Sequence, residues 1–120
     1  VYITPHHTPL VLNMHINDYK DLSAAVCGLI ELTHPFNDEA CVIGNDEAKL
    51  IGMDGNRKIG QSIYAGPILI VGDDNGDENF IPLTDKQADF YADKFKEIED
   101  ISEEEVQSDM YCTFIPLEMN

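Results

Sequence analysis

The 120-residue chain is expected to fold as a single α+β domain over residues 1–120, a mostly antiparallel sheet with two main helices packed on one face. Three observations predict this. β-prone runs and helical patterns mix without the regular alternation of a parallel α/β protein, and hairpin connections dominate. Ile68 to Val71 are four consecutive aliphatic residues, as a central strand buried on both faces requires. The stretch "LTDKQADFYADKFKEIED" combines a helix start signal with an apolar stripe at helical spacing. The length is enough to bury one hydrophobic core.

Along the chain, "VYITPHHTPLVLNMHI" alternates short β-prone runs with two prolines, which predicts an edge strand interrupted by a loop. "NDYKDLSAAVCG" predicts the first helix: Asn17 or Asp18 caps it, Tyr19, Leu22, Ala25 and Val26 share a face, and Gly28 stands at the left-handed C-cap. "LIELT" follows as a strand. "ACVIGNDEAKLIGM" predicts a hairpin of two short strands joined at Asn45 to Ala48. "DGNRKIGQS" is expected as a polar loop, and "IYAGPILIVG" as the central strand, with Pro67 where a residue need not donate to the ladder.

The next segment, Asp73 to Glu78, sits between that strand and "NFIPL", the position of a hairpin loop. Its carboxylates do not follow the helix-loop-helix calcium pattern, because the glycine is fourth from Asp73 and the twelfth position is Thr84. The second helix opens with a capping box of Thr84 and Gln87, and its stripe is Ala88, Tyr91, Phe95 and Ile98. Residues 99–109 are dense in acid and are read as a frayed continuation of that helix or a solvated, flexible linker. "MYCTFIPLEM" returns to strand-like residues that could pair with the sheet.

Charge narrows the function classes. Twenty-three acidic residues stand against seven basic ones, a net charge of −16. Such a chain is repelled by phosphate backbones and anionic lipid surfaces, so direct nucleic-acid binding and membrane binding are not expected. Basic surfaces are its natural partners. No run of 18 apolar residues occurs, and the start lacks the positive region and cleavage site of a signal peptide, which predicts a cytoplasmic protein; a leader removed before Val1 stays open. Cys27, Cys41 and Cys112, without C-x-x-C spacing, read as free thiols of a reducing compartment.

Two constellations are candidates for function. Asp85, Asp89, Asp93 and Glu97 form an i, i+4 row on the second helix that would spread four charges over about 18 Å. Like charges at that spacing cost an isolated helix roughly 0.2–0.5 kcal/mol per pair, so a purely structural surface could avoid them. Such a row can occupy a basic groove built for phosphates, and Glu103 and Glu104 extend it. The plainer reading is a solvated face partly neutralised by Lys86, Lys94 and Lys96. The other candidate is Asn56, Arg57 and Lys58, a positive spot in a glycine-flanked loop that could receive a phosphate or carboxylate. Arg57 is read first as an internal clamp pairing with carboxylates such as those of the second helix. His6, His7, His15 and His34 have no metalloprotease or zinc-finger spacing, so neither a metal site nor a cofactor is expected. No catalytic residues stand out.

In order, "CGLIELT", "NDEAKLIGMDGNRKI" and "IYAGPILIVGDDNGDENFIPLTDKQADFYADKF" resemble a family of small acidic uncharacterised domains encoded by phages and bacterial mobile elements. The resemblance covers roughly residues 17–96. Cys27 stands where the family has the first glycine of a turn, and Ala48 also replaces a more usual glycine. The resemblance implies a short accessory protein in a bacterial host's cytoplasm. With the charge, it makes the leading expectation a non-enzymatic counter-defence inhibitor, of the anti-CRISPR or anti-restriction class, that binds a basic nucleic-acid-handling host protein and in doing so imitates a nucleic acid. The alternative is a small-ligand binder, as a homo-oligomer, that sequesters a nucleotide signal through Asn56, Arg57 and Lys58.

Overall fold

The computed structural model describes residues 1–12, 19–73 and 80–114. The protein has an α+β fold with antiparallel sheets. Its elements are β1 (Tyr2–Ile3), α1 (Tyr19–Val26), β2 (Ile30–Thr33), β3 (Ala40–Asn45), β4 (Gly55–Ile59), β5 (Ser62–Ala65), β6 (Ile68–Asp73), β7 (Phe80–Ile81), α2 (Asp85–Lys94) and α3 (Glu103–Phe114). The main sheet runs β1-β6-β3-β2, and β7 pairs with β6 as well. Gly72 is paired to Ala40 of β3 and to Ile81 of β7, so β7 lies on the edge of β6 that β1 also uses. The aliphatic run of Ile68 to Val71 is therefore central, as its composition requires. A separate hairpin joins β4 and β5.

The register sorts the core into two faces. Leu32, Ile43, Leu69 and Tyr2 line up across the sheet, and Leu22 and Val26 of α1 pack on that row. The next row, Val42 and Ile70, points the other way because side chains alternate along a strand. It packs with Ile3, Ile59, Tyr91 and Phe95, so the opposite face carries α2 and the β4–β5 hairpin. The two helices expected on one face are thus divided between both. Each face of the sheet is apolar, and each needs a cover.

Other expectations are corrected. Beyond β3, residues 46–52 form turns instead of the second strand of a hairpin. The segment expected as a polar loop is β4, with Asn56 and Arg57 both fully buried. The stretch expected as one strand is broken at Gly66, whose φ of +71° sets the turn between β5 and β6. Past α1 the left-handed residue is Cys27, at φ +66°, not Gly28. The α2 helix ends at Lys94 with Phe95 as C-cap, so Ile98 falls outside its stripe and is exposed. In place of a solvated linker and a strand, residues 103–114 form α3, started by a capping box in which Ser102 Oγ accepts from the Glu105 amide and the Glu105 carboxylate accepts from the Ser102 amide. Ile101 and Val106 flank that box and pack together with Ala48 and Ala65, a hydrophobic staple. A Cβ on Gly55 would sit 2.7 Å from Ile101 Cβ, so only glycine lets this end of α3 approach β4. The proposed caps Asn17 and Asp18, most of the Asp73 to Glu78 loop and residues 115–120 lie outside the described residues.

Arg57 ties these parts together through backbone carbonyls. Its Nε donates to Phe95 O at 3.1 Å, one terminal nitrogen to Asn56 O and Asn56 Oδ1, and the other to His7 O at 2.8 Å. Asn56 Nδ2 in turn donates to Ile3 O and Gly66 O. Truncating Arg57 orphans several buried carbonyls at about 1–3 kcal/mol each and opens a void. Arg57→Ala should therefore lose at least about 3 kcal/mol in urea unfolding; a loss under about 1 kcal/mol would mean that water replaces the guanidinium without penalty. Cys27→Gly should have the opposite sign, because a left-handed non-glycine residue costs about 1–2 kcal/mol and the Cys27 side chain is exposed. A gain of about 0.5–1 kcal/mol is expected by the same measurement, less than the full strain because glycine also loosens the unfolded chain.

Candidate functional site

The acidic surface begins on α2. Thr84 Oγ1 accepts from the Gln87 amide and Gln87 Oε1 accepts from the Thr84 amide, the capping box read from the sequence. Asp85 falls in the first turn, where a carboxylate favours the positive end of the helix dipole. Tyr91 and Phe95 turn inward, which leaves Asp85, Asp89 and Asp93 exposed. Asp93 pairs with Lys96 at 3.2 Å, with both side chains largely in solvent, a contact worth little. Glu97 is also exposed, but it lies past the end of α2, so the four-residue row is helical only through Asp93. The regular ladder ends ahead of this carbonyl, since the Lys96 amide turns back to Asp93 O, and the carbonyl of the C-cap Phe95 is then met by Arg57 Nε.

Glu103 and Glu104 occupy the first turn of α3 and are exposed, bordering a shallow open depression with Gln107 and Ser108. Glu99 and Glu105, between and beside these residues, face the protein instead. Glu99 accepts from the Lys58 amide at 3.0 Å, and Glu105 pairs with Lys58 Nζ at 2.9 Å. The Lys58 hydrogen bond, the Ser102 amide and the Lys58 charge hold the Glu105 carboxyl below its ordinary range, while Lys58 is pushed up. The positive spot at Asn56 to Lys58 is thus split by the fold. Asn56 and Arg57 point into the core with their donors on carbonyls, and only Lys58 reaches the surface, where carboxylates meet it. Burial pulls the Arg57 pKa down, and Glu99 partly opposes it.

Asp38 joins α2 to the loop before β3, a contact that sequence spacing could not show. Its carboxylate accepts from Gln87 Nε2 at 2.9 Å, from Tyr91 Oη at 3.1 Å and from the Glu39 amide. Among the described residues no three His, Cys, Asp or Glu side chains gather as a metal site, and no helix is long and apolar enough to cross a membrane. Cys27 is an exposed thiol and Cys41 is buried.

A family model described as a domain of unknown function, DUF3846, matches residues 1–96. The chain belongs to this family. Its DUF3846 region ends just past the C-cap of α2, so Asp85, Asp89 and Asp93 fall within it and Glu97, Glu103 and Glu104 beyond it. No curated protein and no solved structure matches the chain.

Acid and alkali should test the Asp38 contact from opposite sides. Hydrogen bonds from Gln87 and Glu39 hold its carboxyl below the ordinary value, so the contact is fully stabilising above the unfolded carboxylate pKa and is lost as pH falls through the folded one. The Tyr91 phenol is raised to about 12 by burial and by Asp38, so its contribution is full below the unfolded phenol pKa and declines as pH rises toward 12. Asp38→Asn is expected to flatten the acid limb of the stability profile and to bring the last-titrating tyrosine down in an ultraviolet absorbance titration. A tyrosine titration identical to wild type would show that the contact does not persist in solution.

Proposed function

We propose that this DUF3846 domain is a non-enzymatic interaction protein of phage or mobile-element origin, a counter-defence inhibitor that engages a basic nucleic-acid-handling protein in the cytoplasm of a bacterial host. The observation that carries it is the segregation of charge within a chain of net charge −16. Asp38, Glu99 and Glu105 are turned to structural contacts, while Asp85, Asp89, Asp93, Glu97, Glu103 and Glu104 remain exposed along α2, the segment after it and the start of α3. A row of exposed carboxylates on a stiff support can meet a groove shaped for phosphates, and charge complementarity of this kind sets both encounter rate and specificity.

The test is a tagged capture from host lysate at low and high salt, repeated with the variant Asp85→Asn, Asp89→Asn, Asp93→Asn, Glu97→Gln. A nuclease or other nucleic-acid-handling protein should bind at low salt, be displaced by duplex DNA, and bind the variant more weakly by roughly tenfold or more. The variant should keep the wild-type circular dichroism, since it removes like-charge repulsion along α2. Equal capture by the variant, or capture indifferent to salt and DNA, would overturn the proposal.

A further inference from the structure

A cavity of about 250 Å³ lies between the β2–β3 end of the sheet, the turns after β3 and strand β5, on the face opposite α1. Its origin is a pairing across the ladder. Glu31 of β2 stands opposite Gly44 of β3, and the absent side chain leaves space beside the carboxylate. Ala48, Ala65 and Ile68 supply an apolar part of the lining. Thr33 and Tyr64 contribute hydroxyls locked to each other at 2.8 Å. The volume is below the ~300–1,000 Å³ of clefts that hold drug-sized molecules and suits a group the size of an amino-acid side chain.

The electrostatics give the ligand its sign. Glu31 and Asp46 both line the cavity, and neither carboxylate has a hydrogen-bond or ion-pair partner among the described residues. Partial burial and the charge of Asp46 raise the Glu31 pKa, and Lys49 offsets this by less. Lys49 also lines the cavity, but its ammonium is bonded to Asp109 of α3. A negative excess therefore remains beside an apolar surface and two oriented hydroxyls. Neighbouring carboxylates in such a place are relieved by a cation.

We propose that this cavity binds a small organic cation, an alkylammonium or alkylguanidinium group on a short aliphatic stem. The charge lies by Glu31 and Asp46, and its N–H groups donate to them and to the hydroxyl oxygens of Thr33 and Tyr64. The stem packs on Ala48, Ala65 and Ile68. The site is distinct from the acidic surface of α2 and α3 and does not depend on the function proposed for that surface.

The test is a titration of the full chain with n-butylguanidinium, n-butylammonium and, as the anionic control, butyrate, followed by amide chemical shifts in nuclear magnetic resonance. Saturable shifts at Glu31, Asp46, Lys49 and Tyr64 are expected for the cations only. Two variants keep the fold separate from the site. Glu31→Gln removes one charge at an exposed strand position, and Gly44→Val fills the cavity, since a Cβ there meets only Ile68 Cγ2 at 3.6 Å. Each should weaken binding by roughly tenfold or more while amides of α1 and β6 stay in place. A peptide with a single arginine flanked by glycines identifies the source: binding as tight as butylguanidinium assigns the site to a partner's side chain, and binding of the free cation alone assigns it to a metabolite. Shifts that do not saturate, equal binding of butyrate, or unchanged affinity in both variants would overturn the proposal.

Discussion

The fold turns on one buried guanidinium. Arg57 sits fully inside the protein, with no carboxylate in contact among the described residues, held by the carbonyls of His7, Asn56 and Phe95 and by the side-chain oxygen of Asn56. A buried charge is tolerable only when its donors are met, and the planar fork of arginine meets carbonyls from several directions at once. One of them ends α2, where the helix dipole places partial negative charge. Asn56 extends the same network to Ile3 and Gly66. The N-terminal segment, the β4–β5 hairpin and the end of α2, which share little local sequence logic, are thereby fixed to one another.

This arrangement shapes the surface on which function is proposed. Arg57 takes the carbonyl of Phe95 at the end of α2, and in the residues that follow Glu99 and Glu105 meet Lys58 of the hairpin. The acids that remain in solvent are divided between the outer side of α2 and the first turn of α3, with Glu97 between them. The result is a bent acidic surface in place of a straight rod. Asp85 in α2 and Glu103 and Glu104 in α3 fall in first turns, where the helix dipole favours carboxylates.

Much of the fold was legible in local chemistry. Thr84 and Gln87 announced α2, the run of Ile68 to Val71 announced the central strand, and Leu22 with Val26 marked the inner face of α1. The start of α3 was equally present in "ISEEEV", where Ser102 and Glu105 form a capping box inside an Ile101–Val106 staple, but the density of acid masked it. The errors over β4 have a different origin. Asn-Arg-Lys between two glycines has the composition of a loop; it is a strand because it pairs with β5 across the turn at Gly60, and Asn56 and Arg57 can be buried there because carbonyls distant in sequence meet their donors. Of the candidate site, the exposure of Asp85, Asp89 and Asp93 followed from the stripe opposite them, whereas the departure of Glu97 from the helix did not.

The sequence by itself determined the fold class, the caps of α2 and the acidic character of the protein, because propensity, capping and net charge are local or additive properties. The tertiary structure decided which face each helix covers, where α2 ends, and which of the many carboxylates are spent on Lys58, Lys49 and Tyr91. It also decided that Arg57 is a clamp on carbonyls and that Glu31 and Asp46 share a cavity. Those outcomes depend on strand register and on partners separated by tens of residues, and no reading of spacing along one chain contains them.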